Sequence, residues 1–184
     1  MFEEIVFPKN NEKEFIEIAE KLGTKRITFL YNAEDYKPKQ SFDTDVEIKT
    51  GIISKTSNTN HAFKMSKFVV AKSSSYDRML IESKKISMIY GFEENLRKDN
   101  MHQQASGLNH IMCSLAKNND VSIGFSYISL LENNPVITGR MMQNLKLCKK
   151  YKNAVLIGSF ATHPFQLRSR YDVVSLFRLI GMQI

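Results

Sequence analysis

Hydrophobic and polar positions along this chain keep two rhythms that take turns. Short runs rich in β-branched and aromatic residues occur at 4–7, 27–31, 46–49, 68–71, 86–90, 121–125 and 154–157. Several are almost continuously apolar, as strands covered on both faces are. Between them the apolar period lengthens to that of a helix. Phe15, Ile18, Ala19 and Leu22 follow i, i+3, i+4, i+7, with Glu14, Glu17 and Glu20 on the other side and Gly23 as a stop. Leu108, Ile111, Met112 and Leu115 repeat that spacing behind Ser106, which reads as an N-cap. Ile137, Met141, Leu145, Cys148 and Tyr151 make a third stripe. Val173, Val174, Phe177 and Ile180 make the last, with Asp172 near its start and Gly181 at its end.

Seven strands alternating with helices imply parallel pairing through crossover connections. The pattern fits an open, doubly wound sheet or a small barrel and does not choose between them. No Gly-rich fingerprint follows the first strand, which removes the main argument for a dinucleotide fold. No repeat or Pro/Gly-rich linker divides the chain, so residues 1–184 read as one α/β domain. The polar stretch 55–66 reads as a flexible loop.

Composition adds bounds. The chain has 184 residues, 42% hydrophobic and 24% charged, ordinary for a globular protein. Its apolar runs fall far short of a membrane span. Met1-Phe2-Glu3-Glu4 carries acids where an export signal needs a basic flank, so a cytoplasmic protein is expected. The two cysteines, Cys113 and Cys148, sit on apolar helix faces without a neighbouring ligand in sequence and read as small buried hydrophobes.

The net charge of +7 is unevenly placed. Residues 1–96 hold 15 basic and 15 acidic side chains, whereas residues 97–184 hold 11 and 4. The whole excess lies in the C-terminal half, which suggests a polyanionic partner.

Catalytic signatures are sparse. His61, His102, His110 and His163 form no H-x-H or H-x-x-x-H pair, and no P-loop or G-x-S-x-G elbow occurs. No nucleophile, base and orienter assemble from the sequence. Binding chemistry is better represented. Arg140, Gln143, Lys146 and Lys150 fall within about a third of a helical turn, and Lys149 and Lys152 extend that edge. Residues 133–171 contain no Asp or Glu, although a merely solvated face would mix signs. The segment 162–171, THPFQLRSRY, places Arg168, Arg170 and an aromatic before the last helix, where arginines can fork onto phosphates and rings can stack on bases. Arg97 and Lys98 precede the helix that carries Asn109 and His110.

These segments resemble a known family. The stretch Gly158-Ser159-Phe160-Ala161 through Leu167-Arg168-Ser169-Arg170-Tyr171-Asp172-Val173 is similar to a hallmark of the archaeal-type thirty-kilodalton protein subunit of ribonuclease P, with Arg170 where that family usually has proline. Arg97-Lys98-Asp99 followed by Ser106-Gly107-Leu108-Asn109-His110-Ile111 is a second match, and Ile5-Val6-Phe7-Pro8-Lys9 with Ala19-Glu20-Lys21-Leu22-Gly23 a third. The resemblance implies a TIM-like (β/α) barrel of about seven parallel strands, related to the polymerase-and-histidinol-phosphatase phosphoesterases. Those enzymes hold metals with histidines after the first strand, where this chain reads Phe7-Pro8-Lys9-Asn10.

The implied role is support of a catalytic RNA that removes the 5′ leader from precursor tRNA. The protein would bind no cofactor, and Mg2+ would reside with the RNA. Its partners would be the ribonuclease P RNA, the precursor tRNA and a small ferredoxin-like protein subunit. RNA contact is expected from Arg97, Lys98, His110, Arg140, Lys146, Lys149, Lys150, Arg168 and Arg170, with no catalytic residue among them. Two other readings stand beside this one. A free-standing metal-dependent phosphoesterase would hydrolyse phosphate esters alone, and an RNA-binding module outside tRNA processing would leave precursor cleavage untouched.

Overall fold

The structure, a computed structural model, describes residues 2–36, 42–94, 105–132 and 134–182. Seven parallel strands lie side by side in chain order: β1 (Glu4–Val6), β2 (Arg26–Tyr31), β3 (Glu47–Ser54), β4 (Val69–Lys72), β5 (Met88–Tyr90), β6 (Ser122–Ser126) and β7 (Val155–Gly158). All six neighbouring pairs are parallel. An order that never reverses excludes the doubly wound sheet, which needs a switch point. The two edges meet instead. Glu3 N–H donates to the Ile157 carbonyl at 3.0 Å, Phe160 N–H to Ile5 at 2.7 Å and Phe7 N–H to Ala161 at 2.7 Å. The sheet is therefore a nearly closed barrel, as the resemblance implied.

Helices cover the outside: α1 (Glu12–Lys21), α2 (Thr59–Met65), α3 (Asp77–Glu82), α4 (His110–Asn118), α5 (Tyr127–Leu131), α6 (Pro135–Tyr151) and α7 (Arg170–Leu179). Strand residues such as Val69, Ile89, Ile123 and Ile157 share one apolar cluster with Cys113, Leu145, Cys148 and Phe177 from the helices. Both cysteines are buried there, as the sequence pattern suggested. Phe29 and Tyr31 pack with Phe15 and Ala19 of α1 in a second cluster. A third, made of Ile5, Leu30, Val70, Met88, Tyr90, Leu156 and Phe160, contains no helical residue and fills the barrel lumen.

The lumen of so small a barrel is narrow. A Cβ on Gly124 would lie 2.8 Å from the Tyr90 Cβ, and one on Gly51 2.7 Å from the Phe68 ring. At the N-terminal end of the strands the lumen turns polar, with the Thr28 hydroxyl donating to Glu3 at 2.7 Å. At the other end three rings plug it. Tyr90 and Phe160 stack with centroids 4.0 Å apart, and Phe7 lies 6.4 Å and 6.3 Å from them. Phe160 takes a φ of 56°, a left-handed conformation costing a non-glycine residue about 1–2 kcal/mol.

The seam between β1 and β7 is fastened by a buried carboxyl. Glu4 is 1% exposed and accepts from Ser159 N–H at 3.2 Å and from the Tyr127 hydroxyl at 3.1 and 3.2 Å. The Tyr127 oxygen in turn accepts from Arg168 N–H at 3.1 Å. Burial pushes the Glu4 carboxyl up to about 7, against the pull of its hydrogen bonds from Ser159 and Tyr127.

Several expectations need correction. The stretch 55–66, read as a flexible loop, forms a 3-10 turn (Thr56–Asn58) and α2. Its order comes from local polar bonds, Lys55 N–H to Asn58 Oδ1 at 2.8 Å and Ser54 Oγ to Thr59 Oγ1 at 3.0 Å, which leave no apolar period to read. Helices α3 and α5, six and five residues long, are likewise too short to show a stripe. The third strand runs Glu47–Ser54 rather than 46–49. The N-cap of α4 is Asn109, which accepts from Met112 N–H at 2.9 Å; Ser106 is buried upstream.

Two measurements test this core. Gly124→Ala should lower unfolding free energy in urea by about 1–3 kcal/mol, because the added methyl would press on the Tyr90 Cβ at 2.8 Å and the Met88 sulfur at 3.0 Å. Between its ordinary value of 4.5 and about 7, Glu4 keeps a proton in the folded state that the unfolded chain has released. Its contribution to stability therefore falls as pH rises through that window. In Glu4→Gln the loss of stability between pH 5 and pH 8 should shrink by on the order of 2 kcal/mol. An unchanged loss in paired urea titrations would show that Glu4 is not its source.

Candidate nucleic-acid interface

Helix α6 is the longest element, with 17 residues and therefore about 25 Å in length. Asn134 caps it, accepting from Val136 N–H at 3.0 Å, and Pro135 opens it. Met141, Leu145 and Cys148 face the barrel, while Lys146, Lys149 and Lys150 are exposed, as the stripe required. Lys150 also lies 5.7 Å over the Tyr151 ring. Lys152 ends the helix in the left-handed conformation.

Arg140 departs from the expected outward row. It is 6% exposed, and its Nη1 donates to the Glu93 carbonyl at 3.3 Å. The reason is tertiary: the 3-10 turn Phe92–Glu94 lies against the helix edge that would otherwise face water. One turn on, Asn144 Nδ2 donates to the Ser106 carbonyl at 2.9 Å. Arg140 and Asn144 thus grip the two stems of segment 95–104 from a single helix face. Arg97 and Lys98 lie outside the described residues. Glu93 is itself fully buried, and burial pushes its carboxyl up to about 7, with the charge of Glu94 adding and Asn144 and Lys72 opposing. Glu94 pairs with Lys72 at 2.7 Å and accepts from the Ser129 hydroxyl at 2.7 Å.

The second basic segment follows β7 and leads into α7. Pro164 and Leu167 are buried and anchor a 3-10 turn (Pro164–Gln166). Gln166 Oε1 accepts from the backbone N–H of Thr162 and His163 at 3.0 and 3.1 Å. Arg168 Nη1 donates to the Phe165 and Leu167 carbonyls at 2.9 and 2.8 Å. The arginine therefore clips its own turn together while its side chain remains exposed. Ser169 caps α7, accepting from Asp172 N–H at 3.3 Å, and Arg170 is exposed in the first turn.

The topology sorts these cations into two groups. In a parallel barrel each helix starts at the C-terminal mouth of the strands and runs back to the opposite end. Arg168, Arg170 and the exposed His110, at the start of α4, lie at the mouth. Lys146, Lys149 and Lys150 lie toward the far end of α6. The sequence showed both groups but not their separation. Nor did it show the aromatic plug, because Phe7, Tyr90 and Phe160 lie on three separate strand ends.

Beside the plug a cavity of about 460 Å³ opens at the ends of β1–β3, lined by Lys9, Asn10, Glu12, Asn32 and Asp35 among others. The Tyr31 hydroxyl donates to Glu12 there at 3.1 Å. Among the described residues no three His, Cys, Asp or Glu side chains are grouped to hold a metal, and no helix is long and apolar enough to cross a membrane.

This geometry has relatives. Ribonuclease P protein component 3 of Thermococcus kodakarensis is 37% identical over 82 residues, which take in 42% of this chain and 37% of that protein. The alignment thus spans little more than a third of the relative's length. Among solved structures, a chain of an archaeal ribonuclease P with mature tRNA superposes with a TM-score of 0.71 at 18% identity, covering 97% of this chain and 82% of the other. Histidinol phosphate phosphatase from Lactococcus lactis, solved with zinc, L-histidinol and phosphate, gives 0.64 at 9% identity, covering 100% and 95%. Both share the barrel. The family model for RNase P subunit p30 matches residues 7–184, nearly the full length, and the chain belongs to that family.

Proposed function

We propose that this chain works as a protein subunit of ribonuclease P, binding and supporting the catalytic RNA that removes the 5′ leader from precursor tRNA. The observation that carries this reading is the exposed pair Arg168 and Arg170 on a braced turn at the barrel mouth, within a stretch, 133–171, that has no carboxylate. Family membership supplies the RNA; the turn supplies the means of holding it.

The work asked of the protein is electrostatic. Folding a large RNA crowds its phosphates, and Lys and Arg contacts offset the repulsion. With one cationic group at the mouth and another along α6, the barrel can bridge backbone segments roughly a helix length apart. RNA-bound Mg2+ would activate water and stabilise the leaving oxygen. This chain would contribute no catalytic residue. Phe7-Pro8-Lys9-Asn10 after β1 and the ring plug at the mouth support that assignment. A small ferredoxin-like protein is the expected second protein subunit. Arg140 serves here by fixing the stems of the segment that bears Arg97 and Lys98, and not as a surface cation.

Reconstitution tests the reading. With the cognate RNA and the small subunit, this protein should raise precursor-tRNA cleavage at low Mg2+. Arg168→Ala should reduce that gain by about ten-fold, because a charge-assisted contact and the brace of the turn go together. No gain at any Mg2+ concentration would remove the ribonuclease P assignment. Phosphate-ester hydrolysis by the protein alone would favour the phosphoesterase reading. Separately, Lys146→Ala and Lys150→Ala should each lower the salt slope of RNA binding by about one, read from affinities over a salt series.

A further inference from the structure

The turn after β7 displays more than charge. Its two buried anchors, Pro164 and Leu167, stand three residues apart, so Phe165 between them is turned outward and is 75% exposed. Most of the chain's phenylalanines pack inside; this one is held in water by a turn with many braces. Gln166 and Arg168 tie its backbone, and the His163 ring stacks against Phe165 with centroids 5.4 Å apart and planes at 30°. Tyr171, in the first turn of α7, is 85% exposed. Arg168 and Arg170 both lie between Phe165 and Tyr171 along the chain, and Asp172 is occupied with the Ser169 cap at 2.8 Å.

Large rings exposed to water on either side of two arginines match one ligand chemistry well. Phosphates meet the guanidinium groups, and the flat faces meet bases. Bases inside a duplex already stack on their neighbours and offer no face, so only unpaired nucleotides can use such rings. Because the turn is already ordered, little conformational entropy is lost on binding. A protein partner would find the apolar rings but would need carboxylates for the arginines. The local sequence, free of acids from 133 to 171, selects for a polyanion.

We infer that the 163–171 turn is a stacking site for unpaired RNA nucleotides, with Phe165 on His163 and Tyr171 as its platforms. This inference rests on the RNA-binding reading above and adds a ligand class to it: single-stranded or splayed RNA rather than helical RNA. Arg168 has a positioning role as well as a contact role, since it fixes the backbone that presents Phe165.

The experiment compares binding of the full chain to a short oligoadenylate and to a blunt RNA duplex of matching length. Wild type is expected to prefer the single strand. Phe165→Ala and Tyr171→Ala should each weaken single-strand binding by about ten-fold and leave duplex binding and the salt slope unchanged. Phe165→Tyr should retain affinity. Arg170→Ala should weaken both RNAs, as loss of a phosphate contact does. If the alanine variants bind the single strand as wild type does while Arg170→Ala binds weakly, the stacking site is refuted and RNA binding stands. If wild type binds neither RNA, both readings fall. Loss of binding to the small subunit alone, with RNA affinity intact, would make the rings a protein contact and also refute the proposal.

Discussion

The Glu4 carboxyl is the interaction on which the rest of the molecule depends. A sheet whose strands follow chain order has two free edges until β1 meets β7, and free edges leave backbone groups unpaired. Three backbone bonds make the junction, and Glu4 secures it from the side by holding Ser159 N–H and the Tyr127 hydroxyl. Tyr127 then holds Arg168 N–H. One buried group thus joins the first strand, the last strand, α5 and the basic turn. Closure of the barrel and placement of the turn therefore share one buried group.

The burial of an ionisable group has a cost that the fold does not avoid. Hydrogen bonds from Ser159 and Tyr127 favour the carboxylate, but burial outweighs them and the carboxyl holds its proton to about pH 7. Glu93 behaves the same way on the other side of the barrel, beneath α6. Glu4 opens β1, and Glu93 lies in the turn that follows β5. Polar groups buried at such places specify one arrangement of the chain, even when an apolar pair would pack as well.

The barrel alone does not fix what a chain binds. In the Lactococcus phosphatase, solved with zinc and phosphate, the likeness extends over the whole chain at 9% identity. Here the mouth holds stacked Tyr90 and Phe160 with Phe7 beside them, and the exposed cations lie on a turn and a helix. The fold specifies where loops gather; the side chains on those loops decide what is bound.

The seven strands, the longer helices and the uneven charge were legible in the sequence, because each depends on local period or on composition. Strand order was not, since the doubly wound sheet and the barrel share one alternation of elements. Short helices such as α2 escaped because Ser54, Asn58 and Thr59 organise them through polar bonds with no apolar stripe. Arg140 shows the limit most clearly. Helical geometry placed it on the basic row, yet a turn 47 residues back, about 160 Å away along an extended chain, folds upon it, and only packing brings Phe92–Glu94 there. The sequence by itself determined which residues form the longer elements and that the whole charge excess lies in the C-terminal half. Tertiary structure alone decided which cations face water, that Phe165 stands exposed while Phe160 plugs the lumen, and that one carboxyl ties them together. Exposure and contact belong to pairs of elements distant along the chain, and no local pattern records them.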